Sequence, residues 1–445
     1  MKKFLYIAAI MATVATATTS CNNEVDDLFD KSAAERTQEA EDEYSSVLTA
    51  NGGKWVLEYF TNPDEPGYIY IFTFDSNGSV KISGKNKWIE NQFKSETSAW
   101  EVISDNGPVL TLNTYNTIFP LFANPENVVV PGATSDDIDE TGYGHYGDYE
   151  FMLMEANDGV VRLKGKKWGV THYLRQLDAN TDDEAYLAQV EETQSKLFSK
   201  YFANLIVTDA NGYRFVMSNQ LSGVADFYPE DGDAITQTHS FNFIGTIDGI
   251  RFMREVELDH ANMSDAPSYF QTFTVQEDGS LLCTEDGVTR ITAQELSTLL
   301  GVKSLTWTID PETISGKFVD AYNTAAADMK KVFKGSKNLK AVSFASANNG
   351  EKVLTNSIQI TGGSAKGNQF VNITAVDANN ISIATIDEVD KNLSQFYTKA
   401  PSLKTLVDMI ATTSFKCSTD NVLMPSTIKM VSTSDENDYF YVTVR

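Results

Sequence analysis

The chain has 445 residues, of which 35 are Lys or Arg and 61 are Asp or Glu, so its formal net charge at pH 7 is −26. This balance excludes nucleic acid as a partner, because phosphate binding needs clustered Lys and Arg, and the best basic cluster is the short GKKW at 165–168. Hydrophobic residues make up 42% of the sequence, which is ample for folding, and the length predicts two or three domains.

Residues 1–20 have the three regions of an export signal. Two lysines come first, an apolar stretch follows from Phe4 to Ala17, and the small residues TTS precede Cys21. The apolar stretch is shorter than the roughly 18 apolar residues that a spanning helix needs. We therefore expect residues 1–20 to be a signal peptide that is removed.

The sequence TTSC at 18–21 resembles the lipobox of bacterial lipoproteins, in which the signal is cut before a cysteine that is then acylated on its sulfur and its amine. The resemblance implies that Cys21 carries a lipid. Thr18 stands where the common pattern has Leu, and the alternative is a signal cut elsewhere with Cys21 merely nearby.

Residues 21–30 have the sequence CNNEVDDLFD, which contains four acids and no base. Acidic residues directly after a lipidated cysteine resemble the surface-export signal of Bacteroidetes lipoproteins. The resemblance implies a lipid-anchored protein on the outer face of the outer membrane. The alternative is a plain solvated tether, for which any polar sequence would serve.

The first structural unit is predicted at 31–180. A capping box, SAAE at 32–35, begins a helix with an apolar face. Alternating segments, with hairpin turns at DSNG and NDG, then predict eight strands, at 54–60, 68–74, 80–83, 97–103, 109–115, 149–155, 160–165 and 168–174. Eight consecutive strands can close as an up-and-down barrel, and the Gly-x-Trp of GGKW at 52–55 is similar to the opening of lipocalin-like barrels. We expect Trp55 in the core.

Two further helix-plus-β units are predicted, at 181–310 and 311–445. A second capping box, TDDE at 181–184, begins the second helix, and the third is expected to run from near Pro311 to Gly335. The predicted fold is therefore mainly β, with tandem antiparallel β units that each follow an amphipathic helix. The sequence leaves open whether units two and three fold independently and whether Cys283 and Cys417 form a disulfide.

Motifs for catalysis and for metal or cofactor binding do not occur in the sequence. The four histidines, His145, His172, His239 and His260, have no metal-ligand spacing, and no nucleophile elbow, P-loop or dinucleotide fingerprint is present. Acidic fragments such as 75–77 and 209–211 resemble pieces of calcium loops, but hairpin turns explain them better. We predict no catalytic residue, no metal and no cofactor.

The segment 118–148, between two predicted strands, is the best candidate for a binding loop. A structureless stretch of about thirty residues is uncommon unless it is functional or disordered. It leads into GYGHYGDY at 142–149, where Tyr143, His145, Tyr146 and Tyr149 alternate with glycines. Such side chains suit stacking on sugar rings or on a partner's surface. The alternative is a Gly-rich hairpin with ordinary half-buried tyrosines.

Several stretches, among them KSAAERTQEAEDEY, GKWVLEYF, FTFDSNGSVKI and GDYEFMLME, resemble a family of Bacteroidetes surface lipoproteins catalogued as a domain of unknown function. The resemblance is strongest over 31–180. It implies an accessory lipoprotein encoded beside starch-utilisation-type outer-membrane uptake systems, often near metallopeptidases. The family has no established catalytic residues to carry over.

These observations lead to one main hypothesis, a non-enzymatic cell-surface lipoprotein that binds a ligand or partner for an outer-membrane nutrient uptake system. It would be attached to the membrane through its N-terminal lipid. Its partner would be an outer-membrane transporter or another surface lipoprotein, and its ligand a glycan or peptide. The alternatives are a secreted hydrolase with an unrecognised carboxylate site and a structural or adhesive surface protein.

Overall fold

Antiparallel strands account for most of the structure, a computed structural model that describes residues 31–61, 65–113, 116–123, 146–232, 234–259 and 268–445. Within these residues, 24 strands form three closed barrels of eight strands each. The prediction of a mainly β fold with a barrel in the first unit is confirmed. The predicted sites at Cys21, Tyr143 and His145 lie outside the described residues.

Barrel one follows helix α1 (Ala33–Thr49), which begins with the predicted capping box: the Ser32 hydroxyl accepts a hydrogen bond from the Glu35 amide, and the Glu35 carboxylate accepts one from the Ser32 amide. All eight predicted strands are present. Their bounds are β1 (Lys54–Tyr59), β2 (Tyr68–Phe74), β3 (Ser79–Gly84), β4 (Lys94–Ser104), β5 (Pro108–Leu112), β6 (Glu150–Asn157), β7 (Val160–Gly165) and β8 (Thr171–Gln176).

The interior of barrel one is filled with aromatic and aliphatic side chains. Trp55 is 1% exposed, as predicted, and its indole N–H donates to the Leu48 carbonyl at 2.8 Å. Along β2, Tyr70, Phe72 and Phe74 share one face because side chains alternate on a strand, and all three are buried. Because side chains fill the interior of barrel one, a ligand of this barrel would have to bind at its surface.

Barrel two follows helix α2 (Asp183–Leu197), and two short helices lie within or after it, α3 (Ala234–Gln237) and α4 (Leu296–Leu299). Its interior holds a group of phenylalanines in edge contact, for example Phe252, Phe270 and Phe273. Its strands are β9 (Leu205–Thr208), β10 (Arg214–Ser218), β11 (Val224–Pro229), β12 (His239–Gly245), β13 (Gly249–Glu257), β14 (Tyr269–Val275), β15 (Leu281–Cys283) and β16 (Arg290–Ala293).

Barrel three contains three helices, α5 (Lys317–Val332) between its first two strands and the pair α6 (Lys391–Lys399) and α7 (Ser402–Ala411) before β22. The apolar faces of α5 and α7 pack together. The strands are β17 (Trp307–Ile309), β18 (Leu339–Asn348), β19 (Leu354–Gly362), β20 (Ala365–Ala375), β21 (Asn380–Val389), β22 (Phe415–Ser418), β23 (Thr427–Ser432) and β24 (Tyr439–Val444).

Two predicted helix starts are wrong. Helix α2 is capped by Asp182, whose carboxylate accepts from the Ala185 amide, and not by Thr181. The third helix begins at Lys317, because Pro311 lies in a separate one-turn 3-10 helix over Pro311–Thr313. Strand β17 pairs with β18 and β24, although the predicted unit boundary at 310 and 311 assigns it to the second unit.

Barrels two and three share one hydrophobic core, which runs without a break from Leu197 to Val442. A loop between β22 and β23 also joins them through the main chain. The Val422 amide donates to the Asp278 carbonyl, and the Ala293 amide donates to the Val422 carbonyl, both at 2.8 Å. Both barrels fall in the same compact unit, Asp182–Arg445 together with Glu58–Ile69 and Lys85–Phe93, while the other described residues form a second unit.

Both cysteines of the described chain are buried free thiols, Cys283 in barrel two and Cys417 in barrel three. The question of a disulfide that the sequence left open is thereby answered, since each thiol packs in the core as a small apolar group. Of the helices in the described residues, none has the length and apolar character needed to cross a bilayer.

Candidate binding site

The predicted loop between β5 and β6 begins as a core segment, which corrects the expectation of a structureless stretch from residue 118. Ile118, Phe119 and Phe122 are fully buried, and a 3-10 helix spans Pro120–Ala123. The ring of Phe119 makes edge contacts with Tyr70 and Phe72, at centroid distances of 5.2 Å. Since those rings face the interior of barrel one, the buried ring of Phe119 packs against this interior.

The buried Asn116 holds the start of this segment in place. Its side-chain carbonyl accepts hydrogen bonds from the Ile118 and Phe119 amides at 3.0 and 3.2 Å, and its side-chain amide donates to the Ser98 hydroxyl. The Tyr70 hydroxyl donates to the Ile118 carbonyl at 3.0 Å. These bonds satisfy polar groups that would otherwise be costly to bury.

The end of the same loop, residues 146–149, returns to this segment. The Gly147 amide donates to the Phe122 carbonyl at 3.2 Å. Just before it, Tyr146 has a φ of 55°, in the left-handed region that bulky residues rarely adopt. Such a conformation persists only where the surroundings hold it, and it is concentrated at functional positions.

Asp148 is the residue that fastens this loop end to the β7–β8 turn. Its carboxylate accepts hydrogen bonds from the Lys167 amide at 2.7 Å and from the Trp168 amide at 3.3 Å. Asp148 is 4% exposed, and this burial raises the pKa of its carboxyl. The hydrogen bonds from the two amides lower that pKa, but by less than burial raises it. A Cβ atom at Gly165 would lie 2.0 Å from the carboxylate, so the turn needs glycine there.

The aromatic patch, defined as Tyr146, Tyr149, Lys167 and Trp168, results from this attachment. The rings of Tyr146 and Trp168 meet edge to face at a centroid distance of 4.9 Å. The Lys167 ammonium lies 4.8 Å from the Trp168 ring centroid, a cation–π distance. Tyr149 is 45% exposed. Two rings are thus fixed by packing, while a third is free to contact a ligand.

An open cavity of about 310 Å³ lies in the patch, lined by Gly147, Asp148, Tyr149, Glu150, Lys166 and Lys167. On its rim the Lys166 ammonium bonds to Asp105 at 2.5 Å and to Glu150 at 3.3 Å, and these carboxylates raise the pKa of Lys166. The cavity therefore offers one exposed tyrosine, the paired cation of Lys166, and the cation of Lys167, which lies over the Trp168 ring.

Of the four loop residues predicted from the sequence, the structure places Tyr146 and Tyr149 together in the patch. Tyr146 is half-buried against Trp168, as the alternative of a hairpin with half-buried tyrosines expects, whereas Tyr149 is exposed. Sequence reasoning missed Asp148, Lys167 and Trp168. The signal for Lys167 and Trp168 is GKKW at 165–168, a basic cluster too small for nucleic-acid binding but with a tryptophan beside its lysines.

The histidines and the acidic hairpin turns of the described residues are the remaining candidates for a metal site. No three His, Cys, Asp or Glu side chains come together as a metal site in the ranges that the structure describes. His172 is fully buried beside Phe151 in barrel one, where burial lowers its pKa to about 3, and His239 is exposed. The Asp209 carboxylate accepts from the Asn211 and Tyr213 amides, as expected of a hairpin turn.

The fold and the patch together define a class of protein. It has tandem eight-stranded antiparallel barrels and an aromatic surface where the loop between β5 and β6 ends. The family of a domain of unknown function, DUF4302, matches residues 25–267, more than half of the chain. The chain belongs to this family, and the predicted resemblance to a domain of unknown function is confirmed. The match covers barrel one and barrel two through β13. No curated protein matches the chain.

Among solved structures, the chain is similar to two variants of the vaccine antigen transferrin binding protein B from Haemophilus parasuis Hp5. A double mutant is 10% identical, with 88% of this chain and 74% of that chain covered and a TM-score of 0.13. A single mutant is 9% identical over the same shares, with a TM-score of 0.12. At these TM-scores the likeness carries no argument about fold or function.

Proposed function

We propose that the protein is a lipid-anchored surface protein of the outer membrane that binds a glycan or peptide through the aromatic patch, as an accessory component of a nutrient uptake system. The supporting observation is the patch itself, in which the exposed Tyr149 lines a cavity together with Lys167, whose ammonium lies over the Trp168 ring of the Tyr146–Trp168 pair. Stacked or edge-packed aromatic rings at an open cavity are a common way to bind sugar rings and peptide side chains.

The way the patch is built also favours binding over a purely structural role. A tyrosine with a left-handed backbone and a carboxylate buried under the turn together hold the rings in one arrangement. Such preorganisation reduces the entropy that a ligand must overcome. The outer-membrane location and the uptake system derive from the lipobox and family resemblances, and they are part of the proposal.

A binding screen tests the proposal. The full chain is screened against glycan and peptide arrays, and the dissociation constant of each hit is measured by calorimetry. Tyr149→Ala should weaken binding by about 1–3 kcal/mol, the range for loss of an aromatic contact. The matched control is Tyr269→Ala in barrel two, since Tyr269 is 50% exposed and lies outside the patch. If both variants lose affinity equally, or no hit responds to Tyr149→Ala, the patch is not the binding site.

Lipid anchoring is tested separately at Cys21. Cys21→Ala should abolish labelling with a fatty-acid probe and release the protein from the membrane, because a lipid chain is the proposed anchor. The control is Cys417→Ala, which removes a buried thiol and should leave labelling intact. Retention of the unlabelled Cys21→Ala protein in carbonate-washed membranes would contradict this part of the proposal.

A further inference from the structure

Barrel three carries a second polar surface, on the outer face of its last strands. In β22, Phe415 and Cys417 point into the core, while Lys416 and Ser418 alternate with them and point outward. The same alternation holds in β23 and β24, where Ile428, Met430, Phe440 and Val442 are buried. The set of outward-pointing residues therefore follows from strand periodicity. None of them belongs to the aromatic patch.

Strand register brings these outward residues together. Lys416 pairs with Asn380 on one side and with Val431 on the other, and Lys429 pairs with Ser418 and Tyr441. Directly paired side chains lie about 5 Å apart, and diagonal neighbours about 7–8 Å. We define the lysine–tyrosine groove as Lys416, Lys429, Tyr439 and Tyr441.

The tyrosines hold Lys429 in position. Its ammonium lies 4.3 Å from the Tyr439 ring centroid and 5.8 Å from that of Tyr441, and the two rings meet at 82°. Cation–π contacts of this kind orient a lysine without neutralising its charge. Among the described residues, neither Lys416 nor Lys429 forms an ion pair with a carboxylate. Hydrogen bonds within its own turn hold the pKa of the Asp377 carboxyl low, and Lys416 lies near enough to lower this pKa further. In a chain with a net charge of −26, two cations on one face nevertheless favour an anionic ligand.

The groove is large, and its rim can bond hydroxyl groups. A cavity of about 890 Å³ is lined by Asn380, Lys416, Ser418, Lys429, Val431 and the loop 432–437, a volume in the range of small-ligand sites. The loop supplies the exposed Ser434 and Glu436. Asp435 is already engaged, since its carboxylate accepts from the Asn437 amide at 2.9 Å. The Asn380 side-chain amide already donates to the Asp377 carboxylate, so Asn380 offers its carbonyl oxygen. That oxygen and the Glu436 carboxylate can accept from sugar hydroxyls, whereas a bare anion has no hydrogen to donate to them.

We propose that the lysine–tyrosine groove binds an acidic oligosaccharide, with a uronate carboxylate between Lys416 and Lys429 and sugar hydroxyls on Asn380, Ser418 and the 432–437 rim. The two lysines provide charge-assisted hydrogen bonds, and the Tyr439 and Tyr441 rings, which do not line the cavity themselves, hold the Lys429 ammonium in position. The site lies on a different barrel from the aromatic patch and does not rest on the function proposed above.

The test measures binding of the full chain to trisaccharides of galacturonate, glucuronate and mannuronate by calorimetry, each beside its methyl ester. The ester keeps the sugar shape and removes the charge. We expect at least one acid to bind and its ester to bind at least about tenfold more weakly, as expected when charge-assisted bonds are lost. Lys416→Met and Lys429→Met should each weaken binding by about the same factor.

The matched control is Lys340→Met, because Lys340 is an exposed lysine on β18 of the same barrel and is not among the groove's lining residues. It should leave the affinity unchanged. Failure of all three acids to bind at about 10 mM, equal binding of acid and ester, or equal losses in Lys429→Met and Lys340→Met would overturn the proposal. Equally tight binding of triglutamate or inorganic phosphate would overturn the assignment to a saccharide.

Discussion

The aromatic patch of barrel one and the lysine–tyrosine groove of barrel three are built in different ways. The patch depends on a loop end fixed by a left-handed tyrosine, Tyr146, and by the buried carboxylate of Asp148. The groove is made of side chains that alternate with core residues on regular strands. Changes that disturb the attachment of the patch should therefore cost folding free energy, whereas changes in the groove should affect mainly binding.

The largest effect is expected for the core segment to which the patch is attached. Phe119→Ala should lower the free energy of unfolding by about 3–5 kcal/mol, the range for truncating a buried phenylalanine, because its ring is fully buried among Tyr70, Phe72 and Phe151. Urea denaturation measures the change. Tyr269→Ala, at an exposed tyrosine, is the control. A loss below about 1 kcal/mol would show that this segment does not support barrel one.

The next effect concerns His172 and is confined to acid. Burial lowers the pKa of His172 from 6.5 to about 3, so the unfolded chain takes up a proton below about pH 6.5 while the folded chain does not. The stability contributed by the neutral imidazole is therefore complete above pH 6.5 and is lost as the pH falls from 6.5 towards 3. At pH 5 the loss should be about 2 kcal/mol.

Denaturation at pH 7.5 and pH 5 of the wild type and of His172→Leu measures this contribution. The wild type should lose about 2 kcal/mol more than the variant on acidification, because leucine has no proton to bind. His239→Leu is the matched control, since His239 is exposed, and it should follow the wild type. Parallel pH dependence of the wild type and His172→Leu would refute the buried neutral imidazole.

Asp148→Ala should have a smaller effect on stability and a large one on binding. Removing a carboxylate that accepts main-chain N–H bonds costs about 1–2 kcal/mol, and the Lys167 and Trp168 amides lose this acceptor. Any ligand of the patch should then bind more weakly because the turn is no longer fixed. Asp148→Asn keeps one acceptor oxygen and should recover part of both losses. If Asp148→Ala binds as the wild type does, the carboxylate does not position the patch.

Much of the fold could be predicted because alternation and turn residues are local signals. The strands of barrel one follow from alternation between Gly-containing turns, and Gly78, with a φ of 83°, lies in the predicted DSNG turn. The start of helix α5 could not be predicted. Its N-cap position is Gly316, which has no side chain, and the capping carboxylate comes from Asp438, which accepts from the Lys317 amide.

The sites were harder to predict than the strands because they depend on contacts between residues that are far apart in the sequence. The tyrosines of the loop were visible in the sequence as a Gly-Tyr repeat, but Trp168 meets Tyr146 only because Asp148 bridges the loop and the β7–β8 turn. The groove left no local signal at all. Lys416, Lys429 and Tyr441 come together through the register of three strands, and register depends on pairings across the barrel.

The smallest effect on stability is expected in the groove. Lys429→Met should change the free energy of unfolding by about 0.5 kcal/mol, at the low end of the cation–π range, because methionine keeps an apolar stem against the Tyr439 and Tyr441 rings while losing the charge. The same variant should lose its uronate affinity, so folding and binding separate in one protein. Urea denaturation at pH 7.5 provides the measurement, with Lys340→Met beside it. If Lys429→Met loses more than about 2 kcal/mol, the lysine supports the pairing of β23 with β24, and the contrast between a fold-dependent patch and a fold-independent groove is wrong.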